Sequence, residues 1–353
     1  MSPYPKPLTV SSLTQIPALG FDTVIDVRSP AEYAQDHLPG AINLPVLSDA
    51  ERAQVGTIYV QTSSFTARKI GAALVARNSA RHLEEALIDK PGGWRPLVYC
   101  WRGGQRSGSF ATILAAIGWR VEIVAGGYKA WRAQVVAQLD RPLAAPVVVL
   151  DGNTGSAKTA VLARLAADGL QTIDLEALAN HRGSLFGSMG GQPSQRAFEG
   201  RLAMALAALD PSRPVVIEAE SSKVGNCRLP AALWKAMVAA PRVVIEAPLA
   251  ARAAYLSRAY ADLTADPARL SAVIEQLRPL HARAVIDDWL ALAGSGDFPA
   301  LAEGLMQRHY DPRYASHRAR MPAALATVSA ESLDEAGIDS LAAQVSQVLG
   351  RLT

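Results

Sequence analysis

Leu97-Val98-Tyr99-Cys100-Trp101-Arg102-Gly103-Gly104-Gln105-Arg106-Ser107 begins as an apolar strand, Leu97–Cys100, enters a glycine-rich loop and leads into a helix expected over about Ser107–Ile117. Backbone N–H groups of such a turn point inward, and the helix N-terminus adds partial positive charge. Arg102 and Arg106 supply full charges. Cys100 is therefore expected to have its thiol pKa lowered from about 8.5 toward neutrality, which populates a nucleophilic thiolate. The same cradle, with Gly103, Gly104, Gln105 and Arg106, suits a tetrahedral anion. A lone strand-end cysteine is most often simply buried, but the flanking glycines and arginines point to chemistry. Cys227 has no such setting and reads as structural.

Outward from this loop the pattern repeats. Thr23–Val27 is a short apolar strand ending in Asp26-Val27-Arg28-Ser29-Pro30, and Arg120–Val124 is another, followed by Gly126-Gly127-Tyr128 and a helix carrying Trp131. Strands alternating with helices predict a parallel α/β sheet, whose ligands bind at the carboxyl ends of strands, where Asp26 and Cys100 both fall. The stretch from about Leu47 to Trp94 reads mostly as helix. Proline-rich Leu139–Pro146 interrupts the periodicity and places a domain boundary there, dividing residues 1–140 from 146–353.

The second domain restarts with the apolar strand Val147–Leu150 and then Gly152-Asn153-Thr154-Gly155-Ser156-Ala157-Lys158-Thr159, ahead of a helix at Ala160–Ala167. Glycines let backbone amides wrap phosphates, lysine reaches the outer phosphate, and a helix N-terminus follows. Ala157 stands where such P-loops carry their second glycine, which tunes the site away from nucleoside triphosphates or crowds one phosphate. Thr159 sits where these loops ligate Mg²⁺, so Mg²⁺ at the P-loop is a candidate; no other cofactor and no protein-held metal are expected. Val215–Ile217 and Val243–Ile245 read as further parallel strands. The first ends in Glu218 and Glu220, carboxylates able either to order a metal-bound water or merely to cap a strand. From about Leu249 the pattern is helical, with no strand signal.

The 353 residues are half apolar and 19% charged, a globular composition, and the net charge of +3 permits an anionic partner without requiring one. Two cysteines in this length exclude a disulfide framework and favour a reducing cytoplasm. The start, MSPYPKPLTV, lacks a secretory pattern, and no apolar run approaches the roughly 20 residues of a membrane span.

Asp26–Tyr33 (DVRSPAEY), His37–Pro45 (HLPGAINLP), the Cys100 loop and Gly126–Trp131 (GGYKAW), in that order, resemble the motifs of a rhodanese domain. That family moves sulfur or selenium through a cysteine persulfide or perselenide. The five residues between Cys100 and Arg106 are one more than in common sulfurtransferase loops, a length suited to a donor such as selenophosphate. His37 is expected to pack near the loop. A rhodanese-like domain joined to this P-loop domain, together with 48–57 (SDAERAQVGT), 179–184 (ANHRGS) and 192–199 (QPSQRAFE), resembles the tRNA 2-selenouridine synthase family over essentially the whole chain. The resemblance implies an α/β protein, a rhodanese-like parallel-sheet domain followed by a P-loop α/β domain with a helical C-terminal extension. It also implies conversion of wobble 2-thiouridine in lysine, glutamate and glutamine tRNAs to 2-selenouridine. S-geranylation by geranyl diphosphate comes first, and selenium from selenophosphate then replaces the S-geranyl group, with Cys100, Arg102 and Arg106 as catalytic residues.

RNA recognition needs cations along phosphates and aromatics for an unstacked base. Residues 308–320 (RHYDPRYASHRAR) fit best, with Arg308, Tyr310, Arg313, Tyr314 and Arg318 as candidates and Trp101 placed to stack on the target base. A second run holds Arg252, Tyr255, Arg258 and Tyr260. For either stretch a solvated helix surface is the plainer reading, and His181-Arg182 could line the phosphate site. Two other readings stay open at this point. One is a cysteine phosphatase fused to a kinase-like domain, favoured by the C-x5-R length and opposed by Tyr99 in place of the usual histidine. The other is a non-catalytic RNA- or nucleotide-binding adaptor.

Overall fold

The computed structural model describes residues 5–318 and 323–351. The chain forms two units, one from residues up to Arg141 together with Pro193–Ala208, the other from Pro142–Gln192 together with Leu209 onward.

The first unit holds strands β1 (Lys6–Leu8), β2 (Thr23–Asp26), β3 (Ala41–Asn43), β4 (Pro96–Tyr99) and β5 (Glu122–Val124), all parallel in the order β1-β5-β4-β2-β3. Every residue of β4 is buried, as expected of an inner strand covered on both faces, which is why it reads as an unbroken apolar run. Ile25, Val27, Val98, Phe110 and Leu114 share one apolar core. The long interval between β3 and β4 holds two helices, Asp49–Gln61 and Ser64–Glu84. Ser48 and Glu51 close a capping box on the first, and Ser63 caps the second by accepting from Phe65 and Thr66 N–H. A helix from further along the chain, Gln195–Ala207, lies on the helix Gly127–Asp140. Gly200 makes this possible, since a methyl there would sit 2.8 Å from the Trp131 indole, and Arg132 pairs with Glu199.

In the second unit β6 (Val147–Gly152), β7 (Gln171–Ile173), β8 (Val215–Glu218), β11 (Arg242–Glu246) and β12 (Ala326–Ser329) form a parallel sheet in the order β12-β11-β6-β8-β7. A ribbon of β9 (Lys223–Val224) and β10 (Cys227–Arg228) stands apart, with Cys227 buried. The helices Lys158–Ala167 and Glu335–Leu349 cover the sheet through Val161, Leu165, Leu341 and Val345. Among the described residues beyond Leu249 the elements are helices as expected, apart from β12. Four residues of period-2 alternation carry almost no signal by themselves, and the strand exists because the free edge of β11 pairs it along its whole length. Among the described residues no helix is long and apolar enough to cross a membrane.

Candidate functional site

Cys100 follows β4 directly and is 3% exposed. Its Sγ accepts a hydrogen bond from Ser107 Oγ at 3.2 Å, one turn into the helix Gln105–Ile117. Burial opposes ionisation of the thiol. The Ser107 hydroxyl, the backbone N–H groups of Ser107 and Arg102, and the Arg106 charge outweigh it, and the pKa lies below the ordinary value. Arg106 does not point its charge freely into the loop, because Glu32 holds it at 2.7 Å. Glu32 in turn accepts from Ser29 N–H, so Arg106 is fixed by the capping box of the helix Pro30–Gln35. Arg102, Gly104 and Gln105 are exposed at the loop mouth. Beneath lies a buried ion pair of Asp26 and Arg28, with the guanidinium 4.1 Å from the centroid of the Tyr128 ring. Tyr128 O–H donates to Asp36 at 2.7 Å, and Trp101 lies 5.3 Å from Tyr128, centroid to centroid. His37 stacks on Tyr33 at 4.0 Å, and its Nδ1 lies 3.0 Å from the Tyr33 carbonyl oxygen.

The cysteine loop is pressed against the Gly126-Gly127 turn, backbone to backbone. Tyr128 N–H donates to Cys100 O at 2.9 Å and Lys129 N–H to Trp101 O at 3.0 Å. Gly127 has φ +59°, and a methyl there would collide with the Cys100 carbonyl and lie 2.5 Å from Gly103 N. Gly127→Ala is therefore expected to destabilise the first unit by about 3 kcal/mol, from left-handed strain and overpacking. It should also slow alkylation of Cys100 by iodoacetamide at pH 7. A melting curve and a thiol-labelling rate check both, and an unchanged labelling rate in a folded variant would separate the turn from the cradle.

In the second unit the loop Gly152–Thr159 joins β6 to the helix Lys158–Ala167 and lines a cavity of about 520 Å³. Lys158 Nζ donates to the carbonyls of Gly152 at 2.9 Å and Asn153 at 3.5 Å. Ala157 adopts φ +58°, the left-handed geometry for which P-loops use glycine, and its methyl is buried in the core between sheet and helix. The substitution therefore keeps the loop's backbone path at the cost of local strain. Asn153 Oδ1 and Ser156 Oγ are buried without a hydrogen-bond partner. Such polar atoms are the ones a phosphate or its waters would satisfy. Asp311 clasps the loop from outside, taking Asn153 Nδ2 at 3.1 Å and both ends of Arg252 at 3.0 and 2.8 Å, while Arg252 also donates to Thr154 O at 3.2 Å.

Two carboxyls meet at Thr159, and a third, Glu220, interacts with the first of them, Glu176. The Thr159 hydroxyl donates to Glu176 at 2.9 Å and lies 3.3 Å from Glu218. Burial, reinforced by the Glu176 charge, pushes Glu218 well up and Glu220 to about 8, and burial also raises Glu176. Glu220 therefore holds its proton at neutral pH. Among the described residues no group of three or more His, Cys, Asp or Glu is arranged to hold a metal ion. Thr159, with Glu176 and Glu218 beside it, is the group that would hold a Mg²⁺ shared with bound phosphates, and no step is routed through one. The raised Glu220 gives a pH prediction. The folded state keeps a proton that the unfolded chain releases near 4.5, so stability falls as pH rises from about 4.5 through 8. Glu220→Gln is expected to flatten that decline in a plot of melting temperature against pH. A slope identical to wild type would contradict the assignment.

Residues 10–134 match the rhodanese-like domain family, and residues 145–273 match the tRNA 2-selenouridine synthase AAA domain. A tRNA 2-selenouridine synthase of Hahella chejuensis is 39% identical over 246 residues, 67% of this chain and 63% of that protein. The match to the Shewanella loihica protein of the same name is 34% over 325 residues, 82% of this chain and 86% of that one. For Bordetella bronchiseptica it is 36% over 335 residues, 85% and 89%. The chain belongs to the tRNA 2-selenouridine synthase family.

In this synthase-family chain the residues singled out for RNA are divided by the structure. Tyr310 and Tyr314 line the P-loop cavity, with Lys158 Nζ 5.9 Å from the Tyr314 ring centroid. Arg308 is exposed. Arg313 donates to His309 Nε2 at 3.2 Å, so that nitrogen accepts and Nδ1 carries the proton toward His281 at 2.9 Å. Burial, then Arg313 and His281, lower the His309 pKa to about 4, which keeps that ring neutral. The side chain of Arg318, and Arg320, lie outside the described residues. In the second run Arg252 is spent on Asp311, Tyr255 and Tyr260 face the cavity, and Arg258 donates to Leu333 O. Arg182 also lines the cavity, pairs with Asp262 and lies 4.8 Å from the Tyr260 ring centroid. Sequence reading gave no role to Ser107, Glu176 or Asp311. Ser107 carried a usable signal as a hydroxyl in the first turn after the cysteine loop, whereas the other two reach the site only through tertiary contacts.

Proposed function

We propose that the chain converts wobble 2-thiouridine of lysine, glutamate and glutamine tRNAs to 2-selenouridine in two steps, in the cytoplasm. In the first, the thiocarbonyl sulfur attacks C1 of geranyl diphosphate. The C–O bond breaks, diphosphate leaves with the electron pair, and the base loses its N3 proton. In the second, selenium from selenophosphate replaces the S-geranyl group at C2, releasing geranyl thiol and, with water, phosphate. Sulfur leaves and selenium enters at the same oxidation level, so the net exchange needs no oxidant. The S-geranyl step turns a poor leaving group into a thiol.

The observation that carries this reading is Cys100, a buried thiol with a lowered pKa, in a cradle of N–H donors beside Arg102 and Arg106. A thiolate so held can attack the phosphorus of selenophosphate bound in the cradle of Gly103, Gly104, Gln105 and Arg106: the S–P bond forms, the P–Se bond breaks, selenide leaves with the electron pair to attack C2, and water then frees phosphate from the sulfur. The family name of the relatives and the tyrosines around the P-loop cavity support tRNA as substrate. Trp101, Arg308, Tyr310, Arg313, Tyr314 and Arg318 are the proposed RNA contacts. The P-loop, from Gly152 to Thr159, is assigned the leaving diphosphate. Amides, Lys158 and the unpartnered Ser156 hydroxyl can stabilise it without nucleotide hydrolysis. The test is to incubate the protein with 2-thiouridine tRNA, geranyl diphosphate and selenophosphate, omitting ATP, and to weigh the digested nucleosides. S-geranyl-2-thiouridine followed by 2-selenouridine is expected. Formation of neither, even after ATP is added, would refute the assignment.

A further inference from the structure

Beside the P-loop cavity is a second recess of about 70 Å³, walled by Phe186, Leu256, Leu263, Phe298, Leu301 and Met306. It shares Thr154, Ser184, Leu256, Tyr260 and Tyr310 with the larger cavity, so the two are neighbours with common walls. Leu256 is the partition. A methyl on Gly155 would lie 2.9 Å from Leu256 Cγ, which puts this leucine directly on the phosphate loop.

We infer that this recess holds the far end of the hydrocarbon chain of a prenyl diphosphate whose diphosphate lies in the P-loop. The inference rests on the proposed reaction and adds the binding site for its apolar half. The recess is suited to an alkyl chain because it offers little polar chemistry to anything else. Three of its hydroxyls are already engaged: Ser257 donates to Ala253 O at 2.9 Å, Thr264 to Ala261 O at 3.2 Å, and Ser184 is 3.2 Å from Tyr260 Oη, while the unpartnered Tyr310 hydroxyl sits on the wall shared with the P-loop cavity. A nucleobase and ribose placed there would lose hydrogen bonds to water and regain few. An alkyl chain loses none and removes apolar surface from water. The walls are firm, since Leu263, Leu301 and Phe186 belong to a buried core with Trp289, Ile274 and Ile286. The recess is therefore preformed for the end of a short chain, the rest of which would lie along Leu256, Tyr260 and Tyr310 in the larger cavity.

Calorimetric titration of the intact protein with geranyl diphosphate, farnesyl diphosphate and inorganic diphosphate, without tRNA, tests this. Wild type is expected to bind geranyl diphosphate at least about tenfold more tightly than inorganic diphosphate, because each buried methylene adds to affinity. Ala302→Leu, at a half-buried wall position on the helix Phe298–Leu305, should remove most of that difference while inorganic diphosphate binds within about twofold of wild type. Phe298→Ala, which enlarges the recess, should shift preference toward the longer farnesyl chain. Equal wild-type affinities for geranyl and inorganic diphosphate would overturn the inference, as would an Ala302→Leu protein that keeps both affinities. Should Ala302→Leu lose inorganic diphosphate as well and prove misfolded, an unaltered chain-length preference in Phe298→Ala overturns it instead. Tight geranyl diphosphate binding with no transfer to 2-thiouridine tRNA would refute the proposed reaction and leave the recess standing. Transfer without chain-dependent binding would do the reverse.

Discussion

Replacing Cys100 by alanine is expected to reduce 2-selenouridine formation by at least about 1,000-fold, the scale of loss when a covalent nucleophile is removed. The variant should still fold and still make S-geranyl-2-thiouridine. Truncation deletes one sulfur, a cavity cost of about 1 kcal/mol. The neighbouring Ser107 hydroxyl keeps its second acceptor, Gly104 O, at 3.2 Å, and the Arg106–Glu32 pair and the Gly126-Gly127 turn make no use of the sulfur. Ser107→Ala is the graded companion. It removes the strongest of the contacts that favour the thiolate, so the thiol pKa rises and the pH profile of selenation moves to higher pH. Nucleoside mass spectrometry of digested tRNA reads both variants. Normal selenation by Cys100→Ala would remove the thiol from the mechanism.

The second large effect is on Lys158. Its ammonium is held by the Gly152 and Asn153 carbonyls at the cavity wall, and departure of diphosphate needs a cation in place. Lys158→Ala is expected to slow S-geranylation by about 100- to 1,000-fold, comparable to loss of one charge-stabilising donor. The exchange of selenium into tRNA already carrying the S-geranyl group should proceed unaltered. Folding should survive, because the loop is also held by Asp311 and Arg252, and Ala157 keeps the helix seated in the core.

The parts of this account that were legible in the sequence are those made by neighbours in the chain. Cys100, its glycines and the helix after them lie within a dozen residues, and so do β6, the phosphate loop and Lys158. There a local pattern dictates local geometry, and the alternation of strand and helix predicts the parallel sheets. What depends on distant residues was hidden. Glu32, 74 positions from Arg106, turns that arginine from a free cradle charge into a fixed one. Asp311 reaches Asn153 across 158 positions, so a segment read as an RNA surface also clamps the phosphate loop. Glu176 joins Glu218 at Thr159 from a short helix with no pattern of its own. The helix Gln195–Ala207 has a clear cap at Ser194, yet nothing local says that it lies on the first unit. Strand β12 is likewise made by its partner.

The division of labour between the two loops is tested most directly by giving Lys158→Ala two tRNAs, one bearing 2-thiouridine and one bearing S-geranyl-2-thiouridine, each with geranyl diphosphate and selenophosphate, and weighing the nucleosides. The account predicts that the first tRNA stays unmodified while the second becomes 2-selenouridine at the wild-type rate. Intact geranylation of the first tRNA with loss of selenation of the second would contradict it, and would move selenophosphate rather than diphosphate to the P-loop.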